Sequence, residues 1–168
     1  MRELALLRHA KSSWDDPSLA DVDRPLGGRG RRAGRAMAAY LAEHPLRPAL
    51  ILCSPAVRAR ETLALVTPSL GEAEIRYPEE LYTFDGERVI RTLRGLEAGP
   101  RAVLVVGHEP AMHEVATMLA VEGRDLAALR TKFPTGALAV LELSVDAWAD
   151  VHTGCGRLAA FVRPRDLS

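Results

Sequence analysis

The sequence predicts a three-layer α/β domain, a mainly parallel central sheet with helices on both faces and antiparallel strands at the C-terminal edge. Two observations carry this. Short uninterrupted apolar runs of strand length recur along the chain, as in strands buried on both faces of a sheet, and most are followed by a polar turn and then by apolar residues at helical spacing. With 168 residues and 18.3 kDa the chain is long enough for one core and too short for two, so a single domain over 1–168 is expected.

Leu4 to Leu7 is the first run, Leu50 to Cys53 the second and Val103 to Val106 the third. Ala33, Ala36, Met37, Tyr40 and Leu41 predict the first helix; Ala59, Leu63, Val66 and Leu70 the second. Val89, Leu93 and Leu96 repeat the spacing, as do Met112, Val115, Ala116 and Leu119. Ala137 to Leu143 and Leu158 to Val162 read as the C-terminal strands, with a turn near Asp146 between them. The segment from Ser13 to Gly30, rich in Pro, Gly and Asp, is the one long loop before the first helix, and long loops in compact domains are often functional.

Composition excludes several function classes. Lys plus Arg and Asp plus Glu balance at 22 each, so no nucleic-acid partner and no membrane partner is expected. No apolar run approaches the roughly 20 residues of a membrane span, and the N-terminal stretch is too short for a signal sequence, so a cytoplasmic location is expected. Cys53 and Cys155 supply neither a disulfide framework nor a four-cysteine zinc site. No cofactor and no metal are expected, and nothing in the sequence specifies an oligomeric state.

In open α/β sheets ligands collect beyond the carboxyl ends of the strands. The first run leads into Arg8-His9, the second into Ser54-Pro55-Ala56-Val57-Arg58 and the third into Gly107-His108-Glu109-Pro110. Two arginines and two histidines therefore converge on one sheet edge. Guanidinium forks match phosphate oxygens and an imidazole can attack phosphorus, so the set predicts phosphoryl chemistry. Each part alone has a plain structural reading: Ser54-Pro55 is an ordinary helix start and Gly107-His108 an ordinary strand-to-helix turn. Cys53 and Arg58 have four intervening residues where the cysteine-phosphatase loop needs five, and His108 and His113 are five apart where a zinc-binding helix needs four.

Leu7-Arg8-His9-Ala10, Asp23-Arg24-Pro25-Leu26 leading to Gly30, Ser54 through Thr62, and Gly107-His108-Glu109-Pro110 together resemble the histidine phosphatase superfamily, also called phosphoglycerate mutase-like. The run Arg8 to Trp14 and the segment Lys132-Phe133-Pro134-Thr135-Gly136 are similar to its SixA-like phosphohistidine phosphatase branch. The resemblance implies that His9 is a nucleophile phosphorylated in turnover and that Arg8, Arg58 and His108 hold the phosphoryl oxygens. Ser12 and Ser13 are further candidates for substrate contact. Arg24 is a candidate either for that or for bracing the loop through an aspartate, the preferred reading.

Two positions depart from the superfamily pattern. Ala10 stands where many members have glycine, and Thr83 stands where many have the Glu or Asp that protonates the leaving group. Glu80 and Asp85 are the nearby carboxylates that could replace it, with solvated loop carboxylates the preferred reading of both. A site without an acid favours a phosphoramidate over an ester, because an alkoxide leaves as a strong base whereas an imidazole can be protonated before the bond breaks. The expected function is thus a metal-independent phosphatase acting on phosphohistidine in a protein. The alternatives are a broad phosphomonoesterase on small sugar or nucleoside phosphates, and a phosphate-recognition module without turnover. The partner is accordingly a phosphorylated protein or a small phosphorylated substrate.

Overall fold

The computed structural model describes residues 1–167. Seven strands form one sheet: β1 (Arg2–Arg8), β2 (Leu50–Cys53), β3 (Glu74–Arg76), β4 (Ala102–Gly107), β5 (Ala120–Glu122), β6 (Leu138–Leu143) and β7 (Gly156–Val162). Their order across the sheet is β3-β2-β4-β1-β6-β7-β5. The helices are α1 (Gly28–Glu43), α2 (Val57–Val66), α3 (Gly86–Arg94), α4 (Ala111–Leu119) and α5 (Leu126–Thr131).

Strand period two divides the core between the faces. Leu4 and Leu6 of β1 point to the side covered by α3, α4 and α5, where Val89, Met112, Val115, Leu129 and Trp148 pack. Ala5 and Leu7 point to the other side, against Met37 and Leu41 of α1 and Leu63 and Val66 of α2. This is the three-layer arrangement expected from the sequence.

β1, β2 and β4 run parallel, as do β2 with β3 and β5 with β7, whereas β6 pairs antiparallel with both β1 and β7. β6 is antiparallel to both its neighbours and β7 is antiparallel to β6, as expected, but the outermost strand on that side is β5, which runs parallel to β7. Neither β5 nor β3 has an apolar run: both are three residues long, and Glu74, Ile75 and Arg76 of β3 are all exposed.

α1 starts at Gly28, two residues before the end assigned to the loop. Its buried stripe is Gly30, Gly34, Met37 and Leu41, one row away from Ala33, Ala36 and Tyr40. The glycines set this stripe because they admit close approach: a Cβ on Gly34 would stand 2.6 Å from Leu65 Cδ1 of α2, and one on Gly30 would stand 2.1 Å from the Lys11 carbonyl oxygen. Among the described residues no helix is long and apolar enough to cross a membrane.

Candidate active site

Register places the chemistry. Arg8 pairs with Gly107 and Cys53 with Val106, so β1, β2 and β4 end level and release His9, Ser54 and His108 side by side. The ladder continues one step further, with His9 N donating to Gly107 O (3.1 Å) and Ser54 N to Val106 O (2.9 Å). Above these ends lies an open hollow of about 370 Å³ whose lining includes Arg8, His9, Arg58 and His108.

His9 is held by its backbone before its ring is considered. Gly136, at φ +76° where a side chain would be strained, donates its N–H to the carbonyls of both Arg8 (3.1 Å) and His9 (3.0 Å). Ala10 N donates to Thr62 Oγ1 (3.0 Å), which itself donates to Arg58 O (2.8 Å), so one hydroxyl ties the strand end at His9 to the helix that carries Arg58. The ring is then oriented by Nδ1, 2.7 Å from the Ala10 carbonyl. A carbonyl only accepts, so Nδ1 carries the hydrogen and Nε2 keeps its lone pair. Burial holds the His9 pKa down at about 4, with Arg58, Arg8 and Arg24 adding to the effect against the Ala10 carbonyl.

His108 follows the same logic. Arg58 Nη2 lies 3.4 Å from His108 Nδ1 and can only donate, which leaves Nε2–H to donate to Ser54 Oγ at 2.7 Å. Burial first, then the neighbouring His9 ring and Arg58, lower its pKa to about 3. Tyr82 and Phe84 stand edge-on to the His108 ring, with centroids 5.5 and 5.9 Å away.

Arg58, only 4 % exposed, turns its Nε toward His9 Nε2 at 3.4 Å. Its other edge is occupied by Asp21: Nη1 donates to the Asp21 carbonyl (2.7 Å) and Nη2 to its carboxylate (3.0 Å). Arg8 donates Nη1 to Phe133 O (2.9 Å), whereas its Nε–H is buried with no acceptor among the described residues.

The four residues singled out at the strand ends, Arg8, His9, Arg58 and His108, therefore meet. The others divide. Ser12 and Arg24 line the hollow. Arg24 braces the loop, pairing with Asp21 (3.1 Å), reaching Ser12 Oγ and Ser13 O (3.2 Å), and lying 3.2 Å under the Trp14 ring. Ser13 points its hydroxyl to Asp15 N (3.1 Å) and stays outside. The reading of Glu80 or Asp85 as a replacement acid is corrected: Glu80 lies on the outer side with Arg88 and Arg91 of α3, and Asp85 caps that helix by accepting from Glu87 N (3.0 Å). Thr83 serves the same turn, accepting from Asp85 N (3.1 Å). The segment's polar atoms are committed to starting a helix.

Sequence reasoning missed Asp21, Glu61 and Thr62. Glu61 Oε1 accepts from Leu26 N (2.8 Å), docking the long loop on α2. The spacing of Arg58, Glu61 and Thr62 at i, i+3 and i+4 on one helix face was the available signal. Cys53, fully buried with its thiol pushed up to about 12 by burial, is inert, as its place in an apolar run suggested.

The histidine phosphatase superfamily (branch 1) model matches residues 4–86. A solved structure from Nakamurella multipartitia, assigned as the phosphohistidine phosphatase SixA, is 31 % identical and superposes with a TM-score of 0.83 over 97 % of this chain and 96 % of its own. The chain belongs to the histidine phosphatase superfamily, in its SixA-like branch. The protein histidine phosphatase SixA complexed with tungstate is 26 % identical with a TM-score of 0.79, covering 99 % of each chain. An uncharacterised protein of Mycobacterium tuberculosis is 42 % identical over 95 % of this chain and the whole of that protein. Superfamily membership accounts for the level strand ends and the His9–Arg58–His108 cluster together, and it supports a phosphatase-type function.

Proposed function

We propose that this protein hydrolyses phosphohistidine in a protein, without a divalent metal, by passing the phosphoryl group through His9. The observation that carries the reading is the His9 ring: neutral, locked by the Ala10 carbonyl, its unprotonated Nε2 met by Arg58 Nε at 3.4 Å at the edge of a hollow lined with guanidinium groups. The tungstate held by the SixA relative, a tetrahedral oxyanion, agrees with a pocket built for a phosphoryl group.

In the first half-reaction Nε2 attacks phosphorus as the P–N bond of the substrate breaks. The bonding pair returns to the substrate ring, which carried a proton on its other nitrogen and departs as neutral imidazole. The product is a His9 ring that keeps its Nδ1 hydrogen and carries the phosphoryl group on Nε2. The second half-reaction repeats this with water, giving dihydrogen phosphate and the original neutral His9. In both steps the leaving group is an imidazole that already carries its proton, and in the second both water protons stay on the phosphate, so neither step needs an enzyme acid. Arg8 Nε, Arg58 and His108 supply the charge and hydrogen bonds that phosphoryl transfer needs more than covalent help.

The test is to incubate the protein with a labelled phosphohistidine donor in EDTA, quench in alkali and look for an acid-labile, base-stable adduct. We expect the adduct in the wild type and none in His9→Ala. Turnover that requires a divalent metal, or an adduct that survives in His9→Ala, overturns the reading.

A further inference from the structure

Two carboxylates line the hollow, Glu109 and Asp21. Glu109 belongs to its own helix start, with Oε1 accepting from His113 N at 2.8 Å. Asp21 has no such local duty. It comes from the long loop after β1, its side chain is 45 % exposed, and three donors from three parts of the chain converge on its carboxylate: Arg24 Nη1 (3.1 Å), Arg58 Nη2 (3.0 Å) and the Tyr82 hydroxyl (2.6 Å). The Tyr82 hydroxyl, with Arg58 and Arg24, holds its pKa at about 2, so it is an anion throughout the physiological range and no proton donor.

Arg58 links this anion to the reacting centre, since its Nε lies 3.4 Å from His9 Nε2 and its Nη2 lies 3.0 Å from the Asp21 carboxylate. A fixed negative charge thus stands one guanidinium group away from His9 Nε2, in the lining of the same hollow.

We propose that Asp21 selects the leaving group, favouring a phosphoryl group carried on a protonated nitrogen ring and disfavouring one carried on an alkyl oxygen. This rests on the phosphohistidine reading above and names the side chain that enforces it. The carboxylate keeps the proton on the distal nitrogen of the substrate ring while the P–N bond breaks, and that proton leaves with the ring. An alkoxide in the same place meets an anion of its own sign. One charge at near-contact distance in a partly solvated pocket shifts such a balance by about one to two orders of magnitude.

The experiment measures kcat/KM for phosphohistidine and for glycerol phosphate in the wild type, D21N and D21E, with inorganic phosphate as inhibitor. In D21N the ratio of phosphohistidine to glycerol phosphate is expected to fall about tenfold or more. Phosphate is expected to inhibit at several-fold lower concentration, because the Arg58 fork is released. D21E keeps the charge and is expected to hold the ratio within threefold even where both rates fall. A ratio in D21N within threefold of wild type overturns the proposal, as does a ratio lost equally in D21E. If D21N does not fold, Y82F removes the 2.6 Å donor while leaving the charge in place, and a ratio lost there likewise overturns it. A wild type that forms no His9 adduct from phosphohistidine sinks the underlying reading instead, so the two failures are distinguishable.

Discussion

The two sides of the hollow at the strand ends are built from different materials. On the His9 side, Arg8, His9 and Ala10 are fixed by backbone groups: Gly136 N–H on two carbonyls, Gly107 O on His9 N, Ala137 O on Arg8 N, with Thr62 beneath. On the loop's side, Asp21, Arg24 and Trp14 are fixed by side-chain charge and stacking, with Arg24 buried between a half-exposed carboxylate and an exposed ring. The first set is neutral, short-range and buried, and so insensitive to salt. The second pairs buried guanidinium groups with a half-exposed carboxylate, and salt reaches it through that exposed partner. His9 is held in one position by its backbone, while the loop wall depends on charge and stacking and is the more adjustable side.

Arg58 is where the two sides join, so its removal breaks the comparison most severely. Arg58→Ala deletes a buried donor aimed at the phosphoryl oxygens and strands Asp21, and kcat/KM is expected to fall about 10²–10³-fold. Arg58→Lys is expected to recover little, because an ammonium cannot span His9, His108 and Asp21 as a fork does. Recovery to within tenfold of wild type in steady-state assays would mean that point charge alone suffices.

Acid separates the two sides by pH. His9 has an ordinary pKa of 6.5 when unfolded and about 4 when folded, so between these values the unfolded chain binds the extra proton and stability falls as the pH falls. For His9 taken alone the loss is at most about 3 kcal/mol by pH 4. Asp21 acts lower: its stabilising ionised form is present above 3.8 and is lost as the pH drops toward 2, with a contribution reduced by its exposure to water. His108, lowered to about 3, adds a loss of the same sign, so urea midpoints measured from pH 7 to 3 are expected to decline below 6.5, and His9→Gln to reduce the slope between 6.5 and 4 without abolishing it.

Thr62→Val sharpens the comparison from the buried side. It leaves Ala10 N–H and the Arg58 carbonyl without their shared hydroxyl, and the loss of a buried partner is expected to lower stability by about 1–3 kcal/mol. For a chain of this size that corresponds to a fall of roughly 2–12 °C in Tm, readable by calorimetry. Because the brace is neutral, the loss is expected to be the same in 50 mM and 500 mM salt.

What could be read from the sequence follows the same division. Apolar runs announced β1, β2 and β4, and with them the level strand ends that gather Arg8, His9, Arg58 and His108. β3 and β5 are invisible to that signal, being short and, in β3, wholly exposed. The buried face of α1 was legible at Met37 and Leu41 but not at Gly30 and Gly34, where its closest contacts are made by residues that carry no side chain to count. Asp21 was missed for a related reason: an aspartate in an aspartate-rich loop looks solvated until the fold brings Arg58 and Tyr82, 37 and 61 residues away, onto one carboxylate. Local pattern reveals what is held by burial, and long-range charge pairing is set only by the finished fold.

The smallest effect belongs to the outermost residue of the adjustable wall. Trp14 is 75 % exposed and stacks on Arg24, with the guanidinium carbon 3.2 Å from the ring centroid, whereas Trp148, the other tryptophan, is fully buried and donates to Pro100 O at 2.7 Å. An exposed cation–π contact is worth about 0.5–1 kcal/mol. Trp14→Ala is therefore expected to leave Tm unchanged within about a degree and to raise KM by only a few-fold, through a looser Arg24 and Asp21. The same exposure makes Trp14 a reporter: phosphate binding is expected to alter the acrylamide-quenchable part of the fluorescence in the wild type and to give no change in Trp14→Ala. If the signal instead survives in that variant, the movement on binding lies near Trp148, in the buried core, and the rigid and adjustable sides would have to be exchanged.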